Sequence, residues 1–506
     1  MHLYRKIDRI QEREDMRILN RRIHIAMAFT LLISSSLTAC SEQIEQKPHI
    51  GIPAEYETAL FTDGTLNEIE IRMDDWDAFI EKEATKEHNW IEEILSPPEK
   101  EYDACDIRIN GDEIQNVGIR TKGIYSLQTA VTTGTNKFSL VLKFNQFTDK
   151  QKYHGLRMLD LNSCLLDATS MKDAVTYDMF RFIGLPAPLC NYAKISVNGE
   201  YFGCYLAVEP VGKDFCKRNY GEDYGSLYKP MHDLCYSRHS DEYEYLEKMV
   251  KIQRSPFSRV KNALKSVHQQ KDIEEHVNVD AVLKYMAVQT MVVNLDGLTG
   301  EIMHNYYLYE SDGRISLIPW DYDMAFGGML SSDEKMDLQK KEAQENGTFN
   351  EDAWRIEKEA ANIAEVRQII NLPIDTPFIG ELSEREFFLN LLENEAYKAQ
   401  YHAYLSELAE TYVKGGKLDE AIDRFTAEIG EIVGTGEHTY YKSGDFSPAV
   451  AQLRLFLQRK AESVICQLNG TIPTTRDEQA NAPETLVDTS DINVRLMGDL
   501  WKASTE

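Results

Sequence analysis

The stretch "LIPWDYDMAFGG", residues 317–328, places two aspartates one residue apart at the end of an apolar, strand-like run. Carboxylates are costly to bury without partners, so Asp321 and Asp323 need a reason to stand where a strand leaves the core. A simple turn is one interpretation, because Asp and Gly commonly end strands. The aromatic neighbours Trp320, Tyr322 and Phe326 instead favour carboxylates that lie against a packed wall.

The elements before this stretch predict a second aspartate-bearing loop. Asp312-Gly313 joins "HNYYLYE" to "RISLIPWDYD", which predicts a β-hairpin. Residues 277–294 are apolar at helical spacing, and this predicted helix ends just before Asp296-Gly297. Taken alone, an Asp-Gly pair is most often a helix end or a turn.

The N-terminal half of the chain is predicted to be rich in strands. Asn110-Gly111 and Asn198-Gly199 each lie between alternating runs and predict hairpins, the second of which leads to Glu209. "KFSLVLKF", residues 137–144, predicts a strand with its large apolar side chains on one face and Lys143 on the other. Lys137 shares the face of Lys143, so a solvated strand lysine is the alternative for both.

A helix is predicted within "TSMKDAVTYDMFRFIGLPAP", residues 169–188. Ser170 is its predicted N-cap, and Asp173, three residues later, fits the acid of a capping box. We therefore assign Asp173 no chemistry.

The composition excludes one class of function and predicts export. The net charge of −28 argues against a general nucleic-acid binder, which needs a basic face. "IAMAFTLLISSSLTAC" has the length of a signal-peptide core and ends in a lipobox-like Leu-Thr-Ala-Cys. We expect a lipoprotein signal peptide over residues 1–39, a lipid on Cys40 and a polar tether over residues 40–53, which would anchor an exported protein to a membrane.

The remaining regions carry weaker signals. The seven cysteines after Cys40 show neither a metal-binding spacing nor a defined disulfide framework. Residues 331–365 are highly charged, which indicates an insertion or a mobile helical segment. The chain is then predicted to be helical as far as Gly470. We expect a weakly ordered polar tail over residues 471–506.

The predicted elements follow one another in the order found in protein kinases: a lysine on a strand, a capped helix, a strand that ends in a glutamate, and two loop aspartates. The motifs resemble the CotH kinase family, secreted kinase-like proteins first known from bacterial spore coats. The matching stretches are "GIRTKGIYS", "KFSLVLKF", "TSMKDAVTYDMFRFIGLPAP", "VNGEYFGCYLAVEPVGKDF", "VNLDGLTGEIMHNYYLYE", "LIPWDYDMAFGG" and "LRLFLQRKAESVICQLNG". The resemblance implies an α+β, two-lobed atypical kinase fold over residues 54–470, with a sheet-rich N-lobe to about residue 208 and a mainly helical C-lobe.

The resemblance also implies a chemistry: transfer of the ATP γ-phosphate, with Mg or Mn, to Ser or Thr of exported or surface proteins. It makes Asp296 the catalytic aspartate and Asp321 a metal ligand. Asp323 would either support that ligand or bind a second metal ion, and Asn305 would assist the metal. Four further residues would bind the nucleotide: Lys143 the phosphates, Arg120 and Lys122 along the phosphate-side loop, and Glu209 at the hinge near adenine.

The sequence departs from ordinary protein kinases in two motifs, because it lacks both G-x-G-x-x-G and H-R-D. The phosphate cradle must therefore be built differently. Two other functions stay open from the sequence: a nucleotide transferase that attaches AMP through the same residues, and a non-catalytic surface or coat assembly protein. Retention of Asp296, Asp321 and Lys143 argues against the assembly protein.

Overall fold

The computed structural model describes residues 51–85, 100–123, 125–231, 233–236, 244–301, 303–330, 339–346 and 349–498. The chain divides into the units 1–50 and 51–506, and all described residues belong to the second unit. The predicted signal peptide, Cys40 and most of the tether lie outside the described residues. In the described part of the chain, no helix is both long and apolar enough to cross a membrane.

Seven strands of the N-terminal half form a closed barrel in the order β1-β2-β3-β4-β5-β7-β6. The strands are β1 Asn67–Arg72, β2 Asp103–Ile109, β3 Asp112–Lys122, β4 Ser139–Lys143, β5 Met158–Asn162, β6 Cys190–Val197 and β7 Glu200–Val208. A parallel pair between β1 and β6 closes the barrel, with Ile69 opposite Ile195. Our prediction of an α+β chain with a sheet-rich first half is confirmed, but the sheet closes on itself.

The predicted hairpins are confirmed, and their turns explain why. Asn110 and Gly111 have φ of 50° and 98°, and Asn198 and Gly199 have φ of 50° and 89°. A two-residue turn with positive φ at both positions matches the twist of the strands it joins, and Asn-Gly accepts that conformation readily.

The two faces of the barrel wall belong to two different hydrophobic cores. Ile119, Leu140 and Leu161 fill the barrel interior. On the opposite face, Tyr192 of β6 lies across from Leu206 of β7, and both pack into the core of the helical half. The alternation of side chains along each strand thus joins the barrel to the helices.

A second sheet has the order β11-β10-β8-β9. Its strands are β8 Ser226–Tyr228, β9 Val250–Ile252, β10 Tyr306–Ser311 and β11 Arg314–Pro319. The predicted Asp312-Gly313 hairpin joins β10 to β11, with φ of 53° and 84° at the turn. β11 therefore delivers the aspartate stretch 320–328 from the edge of this sheet.

Fifteen α-helices with described bounds complete the domain. They are α1 Glu55–Leu60, α2 Trp76–Ala84, α3 Tyr125–Thr132, α4 Lys172–Phe182, α5 Lys213–Tyr220, α6 Glu244–Lys248, α7 Ser258–His268, α8 Ile273–His276, α9 Val279–Val292, α10 Glu351–Ile370, α11 Glu386–Leu392, α12 Glu395–Ser406, α13 Lys417–Ile429, α14 Ser443–Leu468 and α15 Arg476–Ala480. A π-helical turn, Glu407–Val413, continues α12. Short 3-10 turns occupy Leu382–Arg385, Pro483–Thr485 and Val494–Met497.

The helix predicted over residues 277–294 is α9, and it lies at the centre of the helical half. Twelve of its residues are buried, so it is apolar around most of its circumference. The side chain of Asn278 accepts a hydrogen bond from the Ala281 N–H and caps its start.

The expectation of weak order after Gly470 is wrong for residues 471–498. Val494 and Met497 are 3% and 0% exposed and pack into the helical core. The Met497 carbonyl accepts a hydrogen bond from the Ala168 N–H at 3.1 Å. Of the predicted charged insertion, residues 331–338, 347 and 348 lie outside the described residues, and α10 forms much of the remainder.

Candidate functional site

Two loops carry the predicted aspartates, and a single side chain joins them. Asn294, just after α9, donates from Nδ2 to the Asp321 carbonyl at 3.1 Å. Its Oδ1 accepts from the Asp296 N–H at 3.2 Å. The helix end and the strand end that bear Asp296 and Asp321 are thereby fixed to each other.

Asp296 is held by the two residues that precede β10. Asn305 donates from Nδ2 to Asp296 Oδ2 at 2.8 Å. His304 Nδ1 lies 3.2 Å from Asp296 Oδ1, although it is not aligned for a hydrogen bond. Burial, and after it the charge of Lys229, lowers the pKa of His304 to about 4, so the imidazole is neutral at pH 7. The structure thus places Asn305, predicted to assist the metal, on the predicted catalytic aspartate.

Asp321 stands against the aromatic wall that the sequence indicated. Its N–H donates to the Tyr177 hydroxyl at 3.1 Å. The rings of Tyr177 and Tyr322 meet edge to face with centroids 6.0 Å apart, and Phe180 packs on Tyr322. The turn is therefore built onto α4.

Asp173, to which we assigned only a capping role, belongs to this site. Its carboxylate accepts hydrogen bonds from the Tyr322 N–H at 2.7 Å and from Asn162 Nδ2 at 3.1 Å. The N-cap residue of α4 is Met171 and not Ser170, which lies outside the helix with φ of 52°. The Lys172 N–H at the start of α4 donates to Asp167 Oδ2 at 2.9 Å. The capping-box prediction is wrong because the carboxylate points at the turn of residues 321–323 instead of at its own helix end.

Asp321 acts electrostatically on three other carboxylates of the site. Burial, and after it the charge of Asp321, raises the pKa of Asp296 and Asp323 well above the usual range. The same two causes raise the pKa of Asp173 to about 7. Such a group repels further negative charge and favours a cation at its centre.

Lysines face these carboxylates from the barrel and from the second sheet. Lys122, at the end of β3, donates from Nζ to Asn162 Oδ1 at 2.7 Å and to Asp160 Oδ2 at 2.8 Å. Burial lowers its pKa, but the charges of Asp160 and Asp321 outweigh that effect and raise it. The Nζ atoms of Lys122 and Lys229 lie 5.2 and 5.8 Å from the Trp320 ring centroid.

Lys143 shares a barrel face with Lys122 but lies farther along it. On β3 and β4, Lys122 pairs with Ser139, and Lys143 pairs with Gly118. Because Gly118 and Lys122 are four residues apart on β3, the two lysines are about 13 Å apart along the strands. Arg120 stands between them, and both Arg120 and Lys143 lie over the Tyr102 ring. The structure therefore brings Lys122, and not Lys143, to Asp321.

Glu209, at the end of β7, is held by hydrogen bonds within the protein. It is 0% exposed, and its carboxylate accepts from Arg218 at 2.6 and 3.0 Å, from the Tyr56 hydroxyl at 2.6 Å and from the Leu189 N–H at 3.2 Å. These bonds use the roughly four acceptor positions of a carboxylate. Through these bonds Glu209 ties β7 to α1 and α5, and its place at a hinge near adenine stays a prediction.

Backbone strain is concentrated at the same site. Val293, Met303, Asn305, Asp321 and Phe326 have φ between 45° and 62°, a region that non-glycine residues seldom adopt. Val293 is β-branched and fully buried, so its conformation is imposed by its surroundings. Such residues gather at functional sites, where the fold holds them at a cost of about 1–3 kcal/mol each.

Three side chains of the site offer oxygen donors of the kind that could hold a divalent cation. Carboxylate and amide oxygens of Asp321, Asp323 and Asn305 are the donors that Mg and Mn prefer. Among the described residues, no group of three or more His, Cys, Asp or Glu side chains forms a ready metal site. Mg typically uses one or two carboxylates and completes its shell with substrate phosphates and water, so this donor set suits a nucleotide-bound ion.

Four side chains of the site were missed by sequence reasoning: Asp160, Asn162, Asp173 and Lys229. Asp160 and Asn162 carry a usable signal, because polar residues two apart in the strand "MLDLN" must share one face. Lys229, in "SLYKP", follows a three-residue strand that gives no comparable pattern.

Comparisons with known proteins agree with the family that the motifs indicate. A family model described as CotH kinase protein matches residues 119–464. Inner spore coat protein H of Bacillus subtilis (strain 168) is 28% identical over 205 residues, which cover 36% of this chain and 53% of the relative. The inner spore coat protein H-like protein of the same organism is 37% identical over 70 residues, 13% of this chain and 22% of that protein. The chain thus spans about half the length of the first relative and about a fifth of the second.

Proposed function

The chain belongs to the CotH kinase protein family, and from that premise we propose that it transfers the γ-phosphate of ATP to Ser or Thr of exported or surface proteins. One observation carries the proposal: Asp321 lies at the centre of a carboxylate group that also contains Asp296 and is faced by Lys122. A catalytic aspartate, a metal-binding aspartate and a phosphate lysine are the parts that phosphoryl transfer needs.

In the proposed reaction, Asp296 accepts the proton of the acceptor hydroxyl while that oxygen forms its bond to the γ-phosphorus. The bond from the γ-phosphorus to the bridging oxygen breaks, and its electron pair leaves with ADP. The hydrogen bond from Asn305 fixes the Asp296 carboxylate in one orientation, and neutral His304 beside it brings no competing charge.

Lys122 is positioned for phosphate in the way a kinase lysine is. Its pairs with Asp160 and Asn162 hold the ammonium on the barrel face that turns toward Trp320. Asp321, Asp323 and Asn305 would hold Mg or Mn, which neutralises phosphate charge and favours the ionised carboxylates. In this arrangement the barrel half and the helical half act as the two lobes, with the site between β3, β5, α4, α9 and β11.

The site of action follows from the relatives and from the N-terminus. Both relatives carry names of spore coat proteins, so we propose a surface or coat protein as the acceptor. Attachment to a membrane through a lipid on Cys40 is part of the same proposal.

The test is label transfer from ATP that carries the label at the γ-phosphate or, separately, at the α-phosphate. The protein begins at Ser41, Mg and Mn are tried separately, and a Ser/Thr-rich protein serves as acceptor. We expect transfer of the γ-label alone, and a fall of about 100-fold or more in Asp296→Ala and Asp321→Ala. Asp352→Ala, whose side chain is 88% exposed, is the matched control and should transfer at the wild-type rate.

The other outcomes each overturn a stated part of the proposal. Transfer of the α-label would make the protein a nucleotide transferase. Transfer that survives both aspartate substitutions would place the chemistry elsewhere. An absence of both transfer and nucleotide binding would leave an assembly protein on a kinase-like scaffold.

A further inference from the structure

Lys229 occupies a fixed position at the edge of the site. It directly follows β8, and its N–H donates to the Met249 carbonyl at 3.0 Å, which continues the pairing of β8 with β9. Its side chain is half-buried beside two rings, with Nζ 5.7 Å from the Tyr307 centroid and 5.8 Å from that of Trp320. The backbone thus holds this lysine where the second sheet meets the barrel.

The two lysines on Trp320 differ in their partners. Lys122 is occupied by Asp160 and Asn162. Lys229 makes only its two ring contacts within the described structure, where its ammonium has neither a hydrogen bond nor an ion pair. Removing an ammonium from water without such partners is costly, and burial accordingly lowers the pKa of Lys229 to about 8.

The electrostatic neighbours of Lys229 indicate what the free ammonium faces. After burial, the charge of Asp321 has the strongest influence on the pKa of Lys229 and raises it, whereas the charges of Lys251 and Lys122 lower it. Lys229 in turn acts on His304, which lies against Asp296. Lys229 is therefore close to the carboxylates of the proposed transfer step. Two ammonium groups that share one indole repel each other, and an anion placed between them would relieve that repulsion.

We propose that Lys229 binds the terminal phosphate of ATP and, together with Lys122 and Trp320, replaces the glycine-rich loop that this sequence lacks. This inference rests on the proposed function and deepens it. Lys122 is already held in place by Asp160. The ammonium of Lys229 keeps its hydrogen-bond donors available for phosphate oxygens. Its neighbours Asp321 and His304 assign it to the terminal phosphate, where the acceptor hydroxyl attacks.

Nucleotide binding without turnover tests the inference. Titration calorimetry in Mg would compare a non-hydrolysable ATP analogue, ADP and AMP for the wild type, Lys229→Met, Lys229→Arg and Lys271→Met. Methionine keeps the length and apolar body of the side chain and removes only the charge. Lys271 lies between α7 and α8 and its side chain is 74% exposed, so Lys271→Met is a control with the same change of charge.

We expect Lys229→Met to bind the triphosphate analogue about tenfold or more weakly, and AMP as the wild type does. Lys229→Arg should recover part of the triphosphate affinity, and Lys271→Met should match the wild type. Equal triphosphate affinity in wild type and Lys229→Met would overturn the inference and leave the proposed function standing. An equal loss for AMP and triphosphate would also overturn it, because Lys229 would then only support Trp320 and Tyr307. Failure of the wild type to bind any of the three nucleotides would instead overturn the proposed function itself, and the inference with it.

Discussion

Asp173 and Asp445 each stand three residues after a residue that could cap a helix, but their carboxylates accept hydrogen bonds from different partners. Asp445 of α14 accepts from the Lys442 N–H at 2.8 Å and acts as a capping acid. Asp173 of α4 accepts from the Tyr322 N–H, 149 residues away in the chain. Serine is a common helix cap and lysine is not, yet the capping acid is the aspartate that follows Lys442, so the tertiary contact decides which aspartate caps a helix and which positions the turn. A contact of that sequence separation is not encoded in the pattern around Asp173.

Replacement of Asp173 by alanine tests this distinction. The Tyr322 N–H and the Asn162 amide would lose their acceptor, and the turn that bears Asp321 would lose a support. We expect phosphotransfer to fall by about 10- to 100-fold, as is common when a group that orients a metal ligand is removed. The rate of γ-label transfer at saturating ATP measures this.

Asp445→Ala serves as the comparison for Asp173→Ala. It should cost about 1 kcal/mol of stability through loss of a cap and leave the transfer rate unchanged. Equal transfer rates for the two variants would mean that Asp173 does not position the site.

Elements that depend on local chemistry were predictable from this sequence. Three hairpins with Asn-Gly or Asp-Gly turns and the apolar helix α9 lie where the patterns placed them. Closure of the barrel was not predictable, because β1 and β6 pair across more than a hundred residues. The same limit applies to the site: Asp296 and Asp321 stood out in the motifs, whereas the choice between Lys122 and Lys143 depended on register.

The joint between α10 and α14 contains a buried lysine with a testable pH dependence. Lys460 is 0% exposed and donates to the Ile369 and Ile370 carbonyls at the end of α10, both at 3.2 Å. Burial lowers its pKa from 10.5 to about 7. At a pH between these two pKa values, Lys460 is neutral in the folded protein and charged in the unfolded chain. Unfolding then takes up a proton, so this group adds stability as the pH rises.

Urea unfolding at pH 7 and pH 9 checks that sign. The free energy of unfolding of the wild type should rise relative to that of Lys460→Met, by at most about 1.4 kcal/mol per pH unit. A difference between the two proteins that is the same at both pH values would show that Lys460 keeps one protonation state on folding.

At the scale of the molecule, the chain needs its C-terminal segment to complete the domain. Composition alone suggested a polar tail after Gly470, because residues 471–506 contain few apolar side chains. Those few are well placed: Ile472, Val494 and Met497 are 1%, 3% and 0% exposed. The Gly498 carbonyl also accepts from the buried Lys172 at 3.1 Å. The composition of the segment gives only the number of its apolar residues, whereas its contribution to stability depends on how deeply those residues are buried.

Removal of the segment after Gly470 should therefore destabilise the whole domain and not merely shorten it. Burial of Val494 and Met497 contributes about 1.5–3 kcal/mol each, so the truncated protein should lose several kcal/mol. Thermal unfolding should show a Tm lower by more than about 5 °C. The effect should reach the site, because Lys172 begins α4 beside Asp173 and its charge lowers the pKa of Asp323.

A chain that ends at Gly498 keeps every described contact of the segment and should unfold like the full-length protein. If the chain cut after Gly470 unfolds at the same temperature as that control, residues 471–498 cover the core without stabilising it, and the domain ends where the composition placed its boundary.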